Sequence, residues 1–207
     1  FPAAWRAMRT LSAAEYLAIH VAIGFAATLA LIAFIEIADA VSSRETLYRT
    51  DLALANALHT SASETTVVAF RVLTFFGGGL GITLLWAVVT LVLARRREKL
   101  LILGWTLSVV GAGLLNAVLK AGFERARPQL AHAVGFDGWS FPSGHSMATW
   151  VATGMLAYLG LLFVQRPALR LLIVAGALVW SVAMGFSRMV LGAHYLTDVL
   201  GGFAAGT

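Results

Sequence analysis

The sequence predicts an all-α, polytopic membrane protein: a bundle of six transmembrane helices in one domain over residues 1–207, with the sixth helix cut short by the chain end. Two observations carry this expectation. Of the 207 residues, 59% are hydrophobic and 12% charged, against roughly 25% charged in a soluble domain. Uncharged stretches also recur along the chain at the roughly 17 to 25 residues that a helix needs to cross a bilayer.

The first such run is Tyr16 to Ile35. Arg6 and Arg9 precede it and Ala38-Asp39-Ala40 follows it, a pattern resembling a signal peptide and its cleavage site. A signal core is usually about 7 to 15 residues, so the longer run here predicts a retained span. Between Ala40 and Glu64, Leu47, Leu54 and Leu58 fall at helical spacing. They predict either an amphipathic helix lying at the membrane interface or an ordinary connecting helix. The second run, Val72 to Ala94, holds Gly77, Gly78, Gly79 and Gly81. Small residues let helices approach closely in lipid, so packing is the first expectation and a lining for a lipid tail the second. Leu100 to Leu119, Ser146 to Gln165 and the shorter Leu171 to Ser187 are the third, fourth and fifth runs. A sixth begins near His194 and reaches Thr207 before it is long enough to cross. The chain starts at Phe1 without a methionine, so residues before it are expected to be missing or removed.

Charge sets the expected orientation. Arg6, Arg9, Arg95, Arg96, Arg97, Lys99, Arg166 and Arg170 all fall between spans on one side, which the positive-inside rule makes the cytoplasm. The formal net charge of +5 does not point to nucleic acid, because the cations form two separate sets, not one patch. The absence of cysteine removes disulfide and thiolate chemistry without fixing the compartment.

The second set of charges lies in three stretches at the outer ends of the third to sixth spans: Lys120 to Pro128 (KAGFERARP), Phe141 to His145 (FPSGH) and Ser187 to Asp198 (SRMVLGAHYLTD). Ionisable groups in a membrane are costly and mark function. Lys120, Arg127 and Arg188 would repel one another if they met around nothing, and an anion reconciles them. The guanidinium fork matches phosphate oxygens, so a phosphoryl group is the expected guest. Pro142, Ser143 and Gly144 stand just before the fourth span, where the unpaired N–H groups of a helix start also attract anions. Ser143 and Gly144 are therefore expected to bind phosphate as well.

His194 and Asp198 are four apart, which on a helix puts them on one face, the carboxylate holding one ring nitrogen while the other points outward. The roles then divide. His194 attacks phosphorus, Asp198 orients it and stabilises the imidazolium, and His145 protonates the departing oxygen and later activates water. Lys120, Arg127, Arg188 and the Ser143–Gly144 backbone stabilise the equatorial oxygens.

At these positions the chain resembles the type 2 phosphatidic acid phosphatases, membrane enzymes that include bacterial lipid and polyprenyl diphosphate phosphatases. The family's three patterns are Lys, six residues and Arg-Pro; Pro-Ser-Gly-His; and Ser-Arg, five residues, His, three residues and Asp. Lys120 to Pro128, Pro142 to His145 and Ser187 to Asp198 match each spacing, so the motif-bearing core runs from about residue 100 to 207. Leu196 and Ala126 stand where relatives often carry proline. The resemblance implies a six-helix fold and catalysis without a metal or other cofactor.

The expected function is hydrolysis of a lipid phosphate or diphosphate in a bacterial inner membrane, with the site on the non-cytoplasmic face. Polyprenyl diphosphate is the first substrate expected, with phosphatidylglycerophosphate and phosphatidic acid next. A phosphotransferase would use the same residues. A metal hydrolase could use His145, His194 and Asp198 as ligands, but three cations oppose it, and only Glu124 and Asp137 lie nearby to offset them. An anion transporter would need its cations near the midplane instead of at one surface. Nothing in the sequence sets the oligomeric state.

Overall fold

The computed structural model describes residues 13–43, 46–130 and 138–207, and every regular element among them is a helix. Arg6, Arg9 and Asp137, used above for charge placement, lie outside the described residues. In chain order the helices are α1 (Ala13–Ser43), α2 (Thr46–Ser61), α3 (Glu64–Gly77), α4 (Gly79–Arg95), α5 (Lys99–Phe123), α6 (Gly144–Phe163), α7 (Pro167–Val190) and α8 (Leu196–Gly206).

Helices α1, α5, α6 and α7 are each long and apolar enough to cross a bilayer, and α3 with α4 makes a fifth candidate span bent by 47°. These are the five uncharged runs, with one correction: Val72 to Ala94 is not a straight helix. Gly78 interrupts it with extended backbone (φ −77°, ψ 169°). Its N–H still reaches back to Thr74 O at 3.0 Å and Phe75 O at 3.2 Å, so the break leaves that donor satisfied. The glycines permit the close packing that the break creates. A Cβ on Gly77 would lie 2.7 Å from Met184 Sδ and 2.8 Å from Thr149 Oγ1, and one on Gly81 would strike the Phe75 carbonyl and Phe76 backbone. Gly79 faces open space. The sixth run forms α8, 11 residues long, which spans about 16 Å and cannot cross about 30 Å of hydrocarbon.

Helix α6 is the hub, packing against α3, α4, α5, α7 and α8. Ile82, Leu93, Leu101, Trp105, Ala152 and Leu159 form the main apolar cluster between α4, α5 and α6. Trp105 is fully enclosed, and its indole donates to Trp86 O at 3.2 Å. The outward faces are as apolar as the core, with Val118 and Leu171 about 70% exposed (69% and 70%). Hydrocarbon around the helices makes that arrangement stable. Phe34 of α1 stacks on Phe141, ring centroids 5.9 Å apart, so the run that resembled a signal peptide packs against the segment that opens α6.

Helix α2 is the outer segment. It docks on α1, α7 and α8 through a face centred on Asp51 and Ala55, 3% and 2% exposed. Leu54 and Leu58 are only half-buried, and the side chain of Leu47 is not among those described. A buried carboxylate, not a leucine stripe, decides which face turns inward.

Both ends of the bundle have a character. At one, the turn between α4 and α5 carries Arg95 to Lys99, and the Arg96 guanidinium lies 5.0 Å over the Phe163 ring at the end of α6. That contact puts Arg166 and Arg170 at the same end. The opposite end gathers the close of α5, the start of α6, the close of α7 and the start of α8.

Candidate active site

Helix α5 closes with Lys120 in its last turn and with Glu124 in the left-handed region (φ 45°) as its C-cap. The chain then turns across the bundle end, carrying Arg125 and Arg127. Ser140 anchors the returning segment by donating its N–H to Arg125 O (2.8 Å) and its hydroxyl to Ala126 O (3.1 Å). Lys120 Nζ donates to Trp139 O, and Arg127 Nε to Gly138 O at 3.0 Å.

Ser143 is the N-cap of α6. Its Oγ accepts from Ser146 N (3.4 Å) and Ser146 Oγ (2.9 Å), and its own N–H donates to Asp198 O at 2.9 Å. Those bonds tie the helix start to α8. They leave the next two N–H groups, of Gly144 and His145, at the positions where a helix has no internal acceptor to offer. Asn116, one turn before Lys120, donates from Nδ2 to Pro142 O at 3.2 Å. Its Oδ1 would lie 2.9 Å from a Cβ at position 144, so only glycine fits there without a shift.

Helix α7 ends just before a tight turn in which Gly192 takes φ +68°, a left-handed conformation that glycine adopts without strain. The N–H groups of Ala193 and His194 both point to Arg188 O, at 3.0 and 3.2 Å. His194 is therefore folded back beside Arg188, ahead of α8, and does not share a helix face with Asp198 as the four-residue spacing suggested. Asp198 sits in the first turn of α8, where a carboxylate satisfies unpaired N–H groups. Its Oδ2 accepts from Tyr195 N at 2.9 Å and lies 3.3 Å from His194 Nδ1.

The other ring nitrogen, Nε2, is 3.1 Å from Arg127 Nη1, which also donates to Ala193 O at 2.8 Å. A guanidinium only donates, so Nε2 is the acceptor and Nδ1 carries the proton that faces Asp198. This tautomer puts the ring's lone pair on the outward nitrogen, where it accepts from Arg127. Burial pulls the His194 pKa down to about 4; Asp198 opposes that shift, while Arg127 and Arg188 add to it. The imidazole is thus neutral at physiological pH.

His145, second residue of α6, comes within electrostatic range of Arg188, His194, Arg127 and Lys120. Its Nε2 faces the break in the second span, 3.4 Å from where a Cβ on Gly78 would stand. The fold thus brings Lys120, Arg127, Arg188, His145, His194 and Asp198 to one end of the bundle, with Arg188, His194 and Asp198 almost wholly buried. Ser143 lies at the same end, with its oxygen and N–H engaged in capping.

Four neighbours were not assigned a role from sequence. Arg125 donates from Nη1 to Asp198 Oδ1 (2.6 Å) and from Nη2 to Asp51 Oδ2 (2.8 Å). Thr197 joins that network, and Asn116 supports the Pro142 turn. Asp51 adds a carboxylate that a count of neighbours along the chain omits, whereas Glu124 is solvent-exposed. A cavity of about 940 Å³ opens beside the site between the end of α1, Tyr48 and Asn56 of α2, and the segment from Gly122 to Leu130, with Arg127 and Tyr195 on its wall.

The profile of the PAP2 superfamily matches residues 99–207. Phosphatidylglycerophosphatase B of Bacillus subtilis is 44% identical over 96 residues, 45% of this chain and 46% of that protein. Lipid A 1-phosphatase of Rhizobium etli is 36% identical over 155 residues, 68% of this chain and 60% of that protein. The chain thus spans about half to three fifths of these curated relatives. Among solved structures, a transmembrane PAP2-type phosphatidylglycerolphosphate phosphatase from Bacillus subtilis superposes with a TM-score of 0.80 at 28% identity, covering 88% of this chain and 90% of that one. LpxE of Aquifex aeolicus shares the fold with a TM-score of 0.61 at 21% identity. With its profile match over more than half its length and all three polar motifs gathered at one end of an α-helical membrane bundle, this chain belongs to the PAP2 superfamily.

Proposed function

We propose that this protein is an integral membrane lipid phosphatase that works through a phosphohistidine on His194. One observation carries the reading: Arg127 Nη1 sits 3.1 Å from His194 Nε2 while Asp198 holds the opposite nitrogen. The group suited to grip a phosphoryl oxygen already touches the atom suited to attack phosphorus, so a bound phosphate monoester would meet Nε2 without rearrangement of the histidine.

In the first step the Nε2 lone pair forms a bond to phosphorus and the bond to the lipid oxygen breaks, with His145 delivering a proton to that oxygen. In the second, His145 takes a proton from water as the water oxygen bonds to phosphorus and His194 departs, releasing inorganic phosphate. Lys120, Arg127, Arg188 and the N–H groups at the start of α6 stabilise charge on the equatorial oxygens. Asp198 stabilises the imidazolium. Metal independence belongs to the proposal, because Arg127 stands at Nε2 and Arg125 at Asp198 Oδ1, the places where a divalent ion would have to bind.

The names of the similar proteins favour phosphatidylglycerophosphate as substrate, ahead of phosphatidic acid, lipid A 1-phosphate and polyprenyl diphosphate. The cationic turns at the other end of the bundle support a site facing away from the cytoplasm. Phosphate release from these four lipids in detergent tests the proposal. Turnover of at least one, lost in His194→Ala, is expected; no release from any of them, or an active His194→Ala, refutes it.

A further inference from the structure

Asp198 belongs to a buried ionic chain that the steps above do not use. Arg125 bridges Asp198 Oδ1 at 2.6 Å and Asp51 Oδ2 at 2.8 Å, with the three side chains 11%, 0% and 3% exposed. Asp51 also accepts from Thr197 N at 3.3 Å and from Thr197 Oγ1, and Arg125 Nη1 donates to Thr197 Oγ1 at 2.7 Å. The Arg125 guanidinium lies 4.3 Å over the Tyr195 ring, between the two carboxylates. Desolvating three charges is expensive. Docking α2 would not require the far end of the chain to be the carboxylate that touches His194.

We propose that Asp51 and Arg125 are positioning residues for the reaction: the Asp51–Arg125–Asp198 chain fixes the carboxylate and tempers its charge, so that His194 stays neutral with Nε2 available. The inference rests on His194 being the nucleophile. A bare Asp198 would draw a proton onto the ring and occupy the attacking lone pair. Arg125 on the opposite oxygen weakens that pull, and Asp51 on the other arm of the fork keeps the arginine from over-correcting. The three groups together carry one negative charge; without Arg125 they carry two, and without Asp51 none. The other charged and titratable groups that act on His194 are Arg127, Arg188 and His145, with Lys120 near His145 and Asp198 and with Tyr195 and Tyr48 beside the chain, and they are unchanged in the variants below.

The test uses the full chain in detergent and two readouts: the pH profile of kcat/KM on the hydrolysed lipid, and the His194 ring titration by NMR of histidine-labelled protein, which needs no turnover. Arg125→Gln should move the His194 titration up by ~1 pH unit, the scale of one nearby unit charge at an effective dielectric constant of about 20. Asp51→Asn should move it down. The double variant should return close to the wild-type position. Arg125→Lys keeps the charge but cannot hold both carboxylates, so it should leave the titration in place while kcat falls and KM holds. A brace that only anchors α2 would weaken every variant without opposite shifts, so shifts of the same sign, or none, overturn the proposal. If Arg125→Gln does not fold, the downward shift in Asp51→Asn and the unmoved titration in Arg125→Lys decide it. Titrations that move as stated in a protein that hydrolyses none of the lipids would retain the ionic chain's effect and remove the phosphatase reading.

Discussion

Gly202→Ala probes the seam on which the site depends. Gly202 of α8 faces the start of α6, where an added Cβ would lie 2.8 Å from Ser143 O, 3.2 Å from Ser146 Cβ and 3.3 Å from Met147 N. The closest of these is backbone and is roughly half an ångström short of a comfortable contact, so the two helices must part. Ser143 is also where they are joined: its N–H donates to Asp198 O at 2.9 Å, and its carbonyl accepts from Met147 N at 3.0 Å. Overpacking of this kind costs about 1–3 kcal/mol. Alanine's better helix propensity offsets about 0.5–1 kcal/mol of that. The displacement falls on Asp198, hence on His194, and a shift of about 1 Å in a reacting group costs about a hundredfold in rate. Half that shift predicts roughly a tenfold loss in kcat/KM. Lipid phosphate hydrolysis and thermal unfolding, measured on one detergent preparation, read both effects. Gly154→Ala is the control, since Gly154 on α6 faces open space. A Gly202→Ala protein that matches the control in rate and stability, or that loses stability while keeping its rate, would refute the reasoning.

Four further outcomes follow from the site and the topology. His145→Ala should retain phosphoenzyme formation from a substrate with a good leaving group yet turn over slowly, as trapping of labelled protein would show; labelled phosphate on His145 in the wild type would reverse the two roles. Vanadate, which adopts the five-coordinate shape of the transition state, should inhibit by filling the phosphate pocket. Prolonged EDTA treatment should leave hydrolysis intact, and loss restored by adding a divalent metal would end the metal-free mechanism. A reporter fused after Arg97 should be cytoplasmic and one between Gln129 and Ser140 should not; the reverse result would invert the orientation.

The sequence by itself determined the parts of this protein that depend on local composition and fixed spacing. Hydropathy located all five candidate spans, because lipid demands an apolar run of a set length wherever a helix crosses. Spacing singled out Lys120, Arg127, Arg188, His145, His194 and Asp198, because ionisable groups at the ends of apolar runs stand out in a membrane chain. Tertiary structure decided what spacing cannot express. The second span breaks at Gly78, in the glycine cluster, and the break brings Gly77 so close to Met184 and Thr149 that a side chain has no room there. His194 lies ahead of α8 because Gly192 allows a turn that returns its N–H to Arg188 O. Asp51 is 74 residues from Arg125 along the chain yet shares a hydrogen bond with it. A contact that distant has no periodicity to betray it; only the docking of α2 onto α7 and α8 brings the two together.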